Sequence, residues 1–188
     1  MGLLTAIDGP VQEAAGRLQA PWLAAVMEAV THLGDGLTLA LVSVAAVVVY
    51  GALRRGRTAL LLAAAVALSF VASSVLKELV GRERPDEAWR QVALPESKSF
   101  PSGHALESTT TYGALALLAG RRLRRQSARV AVVAAGFTLA ALVGVSRVYL
   151  GVHFCTDVLA GWAIGTALAL TAWWIDRPRD RAAAAPAN

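Results

Sequence analysis

Three short groups of residues in this 188-residue chain have the types and spacing to hold an anion and move a proton. Lys77 and Arg84 stand seven positions apart with Pro85 next, close to two helical turns, so two cations fall near one point. Gly81, and the restriction Pro85 places on Arg84, predict that the helix unwinds between them. In Phe100-Pro101-Ser102-Gly103-His104, Gly103 lets backbone approach closely and Ser102 stands where an N-cap hydroxyl would. Free N–H groups at a helix start attract an anion, and His104 can transfer a proton near neutral pH. In the third group Ser146-Arg147 is followed by His153 and Asp157. At i, i+4 on one helix face, Asp157 can accept a ring N–H of His153 and leave the other nitrogen as nucleophile or base. Arg147 adds a planar fork suited to phosphate.

Each group also has a plain structural explanation: snorkelling for Lys77 and Arg84, a turn and cap for Pro101, Ser102 and Gly103, a loop cap for His153. Glu107 lies one turn beyond His104 on the same face, in a polar run with Ser108, Thr109, Thr110 and Thr111. At membrane depth an ionisable group is a functional candidate, here a second layer behind His104, with pairing inside the bundle as the simpler alternative. His32 stands apart from all three groups, and Cys155 reads as a small buried hydrophobe.

The elements that must position these residues are apolar blocks. Hydrophobic residues make up 56% of the chain and charged residues 16%, with a mean hydropathy of +0.52, against ~45–50% and ~25% in soluble domains. The blocks 37–53, 58–80, 105–119, 130–145 and 158–175 read as five firm membrane spans. Unpaired backbone in lipid makes them helices, and the period-two alternation of a β-barrel is absent. The fold class is all-α, a polytopic transmembrane bundle in a single membrane-embedded domain. Residues 1–34 hold N-terminal helices broken at Pro21 that are interfacial or a sixth span, 37–175 the catalytic bundle, and 176–188 a cytoplasmic tail. Gly161 and Gly165 form a GxxxG pair suited to close helix packing.

Eleven of the eighteen basic residues lie in 54–57, 121–129 and 177–181, which share one face if the spans alternate; that face is expected to be cytoplasmic. The surplus of +5 is therefore assigned to membrane topology, with no nucleic-acid partner. The three chemical groups fall at the opposite, extracytoplasmic face. One cysteine excludes an intramolecular disulfide and a cysteine-rich metal site. Residues 1–10 carry no positive side chain, so the first span is expected to do the targeting.

Taken in order, Lys-x6-Arg-Pro, Pro-Ser-Gly-His and Ser-Arg-x5-His-x3-Asp resemble the three-part signature of the type 2 phosphatidic acid phosphatase superfamily, complete from Lys77 to Asp157. The resemblance implies a phosphatase without metal or other cofactor, on a helical core shared with vanadium haloperoxidases. It implies that His153 attacks phosphorus and forms a phosphohistidine, that Asp157 orients it, and that His104 protonates the leaving oxygen and later activates water. Lys77, Arg84, Ser102, Gly103 and Arg147 would hold the phosphoryl oxygens.

The expected substrate is a lipid phosphate in the cell membrane. Undecaprenyl diphosphate comes first, because an outward site meets the carrier lipid released there by wall-polymer synthesis; phosphatidylglycerophosphate and phosphatidic acid are the alternatives. Two other readings fit less well. A lipid transporter or flippase needs charges at midplane rather than at one surface, and a metal site of His104, Glu107, His153 and Asp157 would sit among crowded cations.

Overall fold

In the computed structural model, which describes residues 3–93 and 96–177, the described chain is helical and contains no strand. The helices are α1 (Leu3–Arg17), α2 (Pro21–Thr31), α3 (Gly36–Ala52), α4 (Gly56–Val80), α5 (Gly103–Gly120), α6 (Gln126–Tyr149) and α7 (Cys155–Ile175). Single 3₁₀ turns occupy His32–Gly34 and Glu87–Trp89. The expected break falls where Pro21 opens α2, a position at which its missing N–H costs nothing. Of the tail expected at 176–188, residues 178–188 lie outside the described residues.

Inside the bundle, hydroxyl side chains share the interior with an apolar core that includes Leu62, Leu106 and Leu118, while the outside is rich in apolar side chains. Large side chains such as Leu37, Leu60, Leu79, Val130 and Leu159 are exposed, while Ser69, Ser108, Thr110 and Ser146 are fully buried. The apolar exterior suits a lipid surround, where apolar side chains face outward. α4, α6 and α7, with 25, 24 and 21 residues, are each long and apolar enough to cross a bilayer. α3 qualifies only with 21–34, as a pair bent by 47°. Of the five expected spans, α5 does not qualify by its own length and composition, and the physical reason is its place. It is the central helix, packed against α3, α4, α6 and α7, so it has little lipid-facing surface to make apolar. Its hydroxyls turn back on the helix instead: Thr109 Oγ1 donates to the Ala105 carbonyl at 2.6 Å and Thr110 Oγ1 to that of Leu106 at 2.9 Å.

The GxxxG pair of α7 faces α5. A methyl group on Gly161 would come within 2.9 Å of Ala105 Cβ and of the Ser102 carbonyl oxygen, and one on Gly165 within 2.8 Å of Thr109 Cβ. Both glycines therefore set the approach of α7 to the helix start that carries Ser102 and His104. At the far end the basic connections meet as expected. Arg57 donates to the Ile175 carbonyl at 2.6 Å, Arg122 lies 3.4 Å from Asp176, and Arg121 and Arg177 stack on Trp173.

Candidate active site

The other end of the bundle collects the C-terminal ends of α4 and α6, the N-terminal ends of α5 and α7, and the connection 81–102. Gly81 closes α4 in the left-handed region at φ 63°, its N–H on the Lys77 carbonyl at 2.9 Å. The chain then leaves the helix, as Gly81 and Pro85 predicted, and brings Arg84 back over the site.

His153 is buried and stands before α7 rather than on it, since the helix begins at Cys155. The expectation of a shared helix face is thus corrected. The pairing is made by a turn, in which the N–H groups of Val152 and His153 both donate to the Arg147 carbonyl at 3.2 and 3.3 Å. That turn leaves Nδ1 of His153 3.5 Å from Asp157 Oδ2 and 3.4 Å from Ser99 Oγ. On the other side of the ring, Arg84 Nη1 lies 3.2 Å from Nε2. A guanidinium can only donate, so Nε2 carries the lone pair and Nδ1 the proton. Burial, against the opposing hydrogen bond to Asp157, pushes the His153 pKa from 6.5 down to about 3. A neutral imidazole with Nε2 unprotonated is the nucleophilic form.

Asp157 is fully buried and takes four donors or neighbours: Arg82 Nη1 at 2.6 Å on Oδ1, and on Oδ2 Ser99 Oγ at 2.5 Å, the Phe154 N–H at 3.0 Å and the more distant His153.

The cations form a chain around Nε2. Arg84 Nη2 donates to Ser97 Oγ at 3.2 Å, and Lys77 Nζ reaches the same oxygen at 3.4 Å. Burial holds Arg84 below its ordinary pKa, with the charge of Asp157 opposing. Arg147, nearly buried, donates from Nη1 to Thr31 Oγ1 at 2.7 Å, while its Nε has no partner. Ser102 is the N-cap of α5, but its buried hydroxyl makes no capping bond and has no partner. Its N–H instead ties α5 to α7 by donating to the Asp157 carbonyl at 3.1 Å. A Cβ on Gly103 would lie 3.4 Å from Lys77 Nζ, 3.2 Å from Glu107 Oε1 and 3.0 Å from Ser73 Oγ. The missing side chain keeps that space open beside the free N–H groups of the helix start. Glu107 is half-buried there, facing Lys77 and Ser73. Two unpartnered buried donors, a helix N-terminus and three cations together suit a phosphoryl group.

His104 holds its Nε2 3.0 Å from Asp35 Oδ1, and the other oxygen of that carboxylate is 2.7 Å from Nδ1 of His32. His32 is thus not set apart. The two catalytic candidates rest on different carboxylates, and among the described residues no three His, Cys, Asp or Glu are grouped to hold a metal. Cys155, expected to be buried, is half-exposed at the start of α7.

All the residues singled out between Lys77 and Asp157 meet at this end. Those missed, Asp35, Arg82, Ser97 and Ser99, have no fixed spacing to the rest; only the charge of Arg82 within the connection was a signal.

The PAP2 superfamily model matches residues 58–181. The chain is 37% identical over 167 residues to phosphatidylglycerophosphatase B of Bacillus subtilis (strain 168), covering 86% of this chain and 79% of that protein. It is 31% identical over 172 residues to decaprenylphosphoryl-5-phosphoribose phosphatase of Mycobacterium tuberculosis (strain ATCC 25618 / H37Rv), covering 86% and 85%. Among solved structures, the PAP2 type phosphatidylglycerolphosphate phosphatase from Bacillus subtilis superposes with a TM-score of 0.83 at 34% identity, over 94% of this chain and 87% of that one.

Proposed function

The chain belongs to the PAP2 superfamily and is a membrane lipid phosphatase, and from that premise we propose that His153 is its nucleophile and that the residues around it carry a two-step phosphoryl transfer. The observation that supports this most is the asymmetric setting of the His153 ring, with Nδ1 toward Asp157 and Ser99 and Nε2 toward the cations.

In the first step Nε2 attacks phosphorus, the bond from phosphorus to the lipid oxygen breaks, and His104, as the imidazolium beside the Asp35 carboxylate, gives that oxygen its Nδ1 proton. The Nδ1 proton stays directed at Asp157, which stabilises the positive charge developing on the ring. In the second step His104 takes a proton from water as its oxygen attacks phosphorus. The N–P bond breaks, phosphate leaves, and both histidines return to their starting forms. Lys77, Arg84, Arg147, the Ser102 hydroxyl and the N–H groups at Gly103 and His104 hold the phosphoryl oxygens; such preorganised donors are the main source of catalysis in phosphoryl transfer. Asp35 holds Nε2 of His104, which leaves Nδ1 as the nitrogen that passes the proton. Glu107 orients Lys77 from the second layer.

For the substrate we place phosphatidylglycerophosphate first, on the similarity to phosphatidylglycerophosphatase B over most of the chain. Undecaprenyl diphosphate, favoured by the outward-facing site, and phosphatidic acid follow. Purified protein in mixed micelles with excess chelator should release phosphate from phosphatidylglycerophosphate fastest. A higher initial rate on undecaprenyl diphosphate would reverse the order, and no release from any of the three would remove the reading.

The five-span arrangement, with α3 and α5 crossing beside α4, α6 and α7, and the extracytoplasmic placing of the site rest on the clustering of basic residues at the opposite end. A reporter fused after Arg125 should be cytoplasmic and one inserted near Glu96 outside; the reverse labelling would invert the site.

A further inference from the structure

Asp8 lies on α1, outside residues 58–181 matched by the family model, yet it is 2% exposed and sits at the start of α7. Its Oδ2 accepts from Arg82 Nη2 at 2.6 Å and from Thr156 Oγ1 at 2.7 Å, and its Oδ1 accepts the Thr156 N–H at 3.0 Å. Arg82 in turn places Nη1 between Thr156 Oγ1 at 2.8 Å and Asp157 Oδ1 at 2.6 Å, with the Phe154 ring 4.1 Å from its guanidinium carbon. One guanidinium thus bridges two buried carboxylates, one from α1 and one from the His153 pair.

We propose that Asp8 is a positioning residue for the nucleophile: it fixes Arg82, Arg82 fixes the plane of the Asp157 carboxylate, and that plane holds the Nδ1 proton of His153 in place. The inference rests on His153 being the nucleophile. The need for such a brace follows from the distances. Asp157 Oδ2 is shared by Ser99, the Phe154 N–H and His153, and the contact to His153 is the longest of them. A small rotation of the carboxylate would break it, and the bond from Arg82 to Oδ1 is what opposes rotation. Arg82 alone is not enough, because its fork is aimed by the second carboxylate. Asp8 also accepts the Thr156 N–H in the first turn of α7, which anchors that carboxylate to the helix carrying Asp157. α1 therefore forms part of the catalytic unit.

The test uses the full-length protein in mixed micelles with phosphatidic acid as the probe substrate, comparing Asp8→Asn, Arg82→Lys, Gln12→Ala and His153→Ala. Gln12 is buried one turn further along α1 and touches none of this network in the hydrogen bonds observed, so Gln12→Ala disturbs the docking of α1 alone. Asp8→Asn and Arg82→Lys should each lower kcat about tenfold with KM nearly unchanged, the scale of losing an orienting partner. The double variant should lose no more than the worse single one, and Gln12→Ala should keep kcat. Unchanged kcat in Asp8→Asn, or an equal loss in Gln12→Ala, would overturn the proposal while His153→Ala is inactive. Activity in His153→Ala would instead show that the reading of the nucleophile had failed.

Discussion

Arg84 Nη1 donates to Nε2 of His153 at 3.2 Å, so the lone pair proposed to attack phosphorus is occupied by a cation before substrate arrives. Under that proposal phosphate binding draws the guanidinium from nitrogen to oxygen, which both frees Nε2 and places the charge where the transition state needs it. The backbone carbonyls of Ser97 and Val152, each accepting from Arg84 at 2.8 Å, keep the guanidinium within reach of both positions.

Arg84→Lys keeps the charge but cannot span these partners. It is expected to lower kcat/KM about a hundredfold, the scale of removing a transition-state donor, and to weaken inhibition by vanadate. Steady-state rates with and without vanadate check this; values within about twofold of wild type would contradict it.

The protonation of His153 gives a prediction about acid. Its pKa is about 3 in the folded protein and 6.5 ordinarily, so between those values the unfolded chain binds a proton that the folded chain refuses. Stability from this group is complete above about pH 6.5 and declines as pH falls toward 3. The melting temperature of wild type should therefore drop more between pH 7.5 and 5 than that of His153→Gln. Equal drops would mean that His153 titrates normally in the fold.

Asp35 rests against His104 at 3.0 Å. Asp35→Asn is expected to slow hydrolysis of a lipid alkyl phosphate about tenfold to a hundredfold. Nitrophenyl phosphate, whose leaving group needs no proton, should be much less affected. Equal losses on the two substrates would assign Asp35 to the structure of the bent 21–52 segment instead.

These contacts divide according to how local they are. The Lys77 and Arg84 pair, the helix start at Ser102 and the His153 and Asp157 spacing could be read from the chain because each is local in sequence. Asp8, Asp35, Ser97 and Ser99 could not. Asp8 meets Arg82 across 74 positions and Asp35 meets His104 across 69, partners joined only by helix packing. The same limit explains the helices. α4, α6 and α7 expose lipid-facing apolar surface and qualify as spans by hydropathy, whereas α5, read as a firm span over 105–119, carries its Ser and Thr run in the centre of the bundle and does not. For His153 and Asp157 the sequence pointed to the right pair with the wrong geometry, since spacing alone does not distinguish a helix face from a turn that ends at Phe154.

The most direct test of the account is chemical trapping of the enzyme in turnover. Wild-type protein mixed with lipid substrate labelled in the phosphoryl group and quenched in alkali should carry label that is stable to base, labile to acid and confined to the peptide containing His153, and His153→Ala should carry none. Label on another residue, or turnover by His153→Ala without label, would contradict the assignment of His153 as the nucleophile.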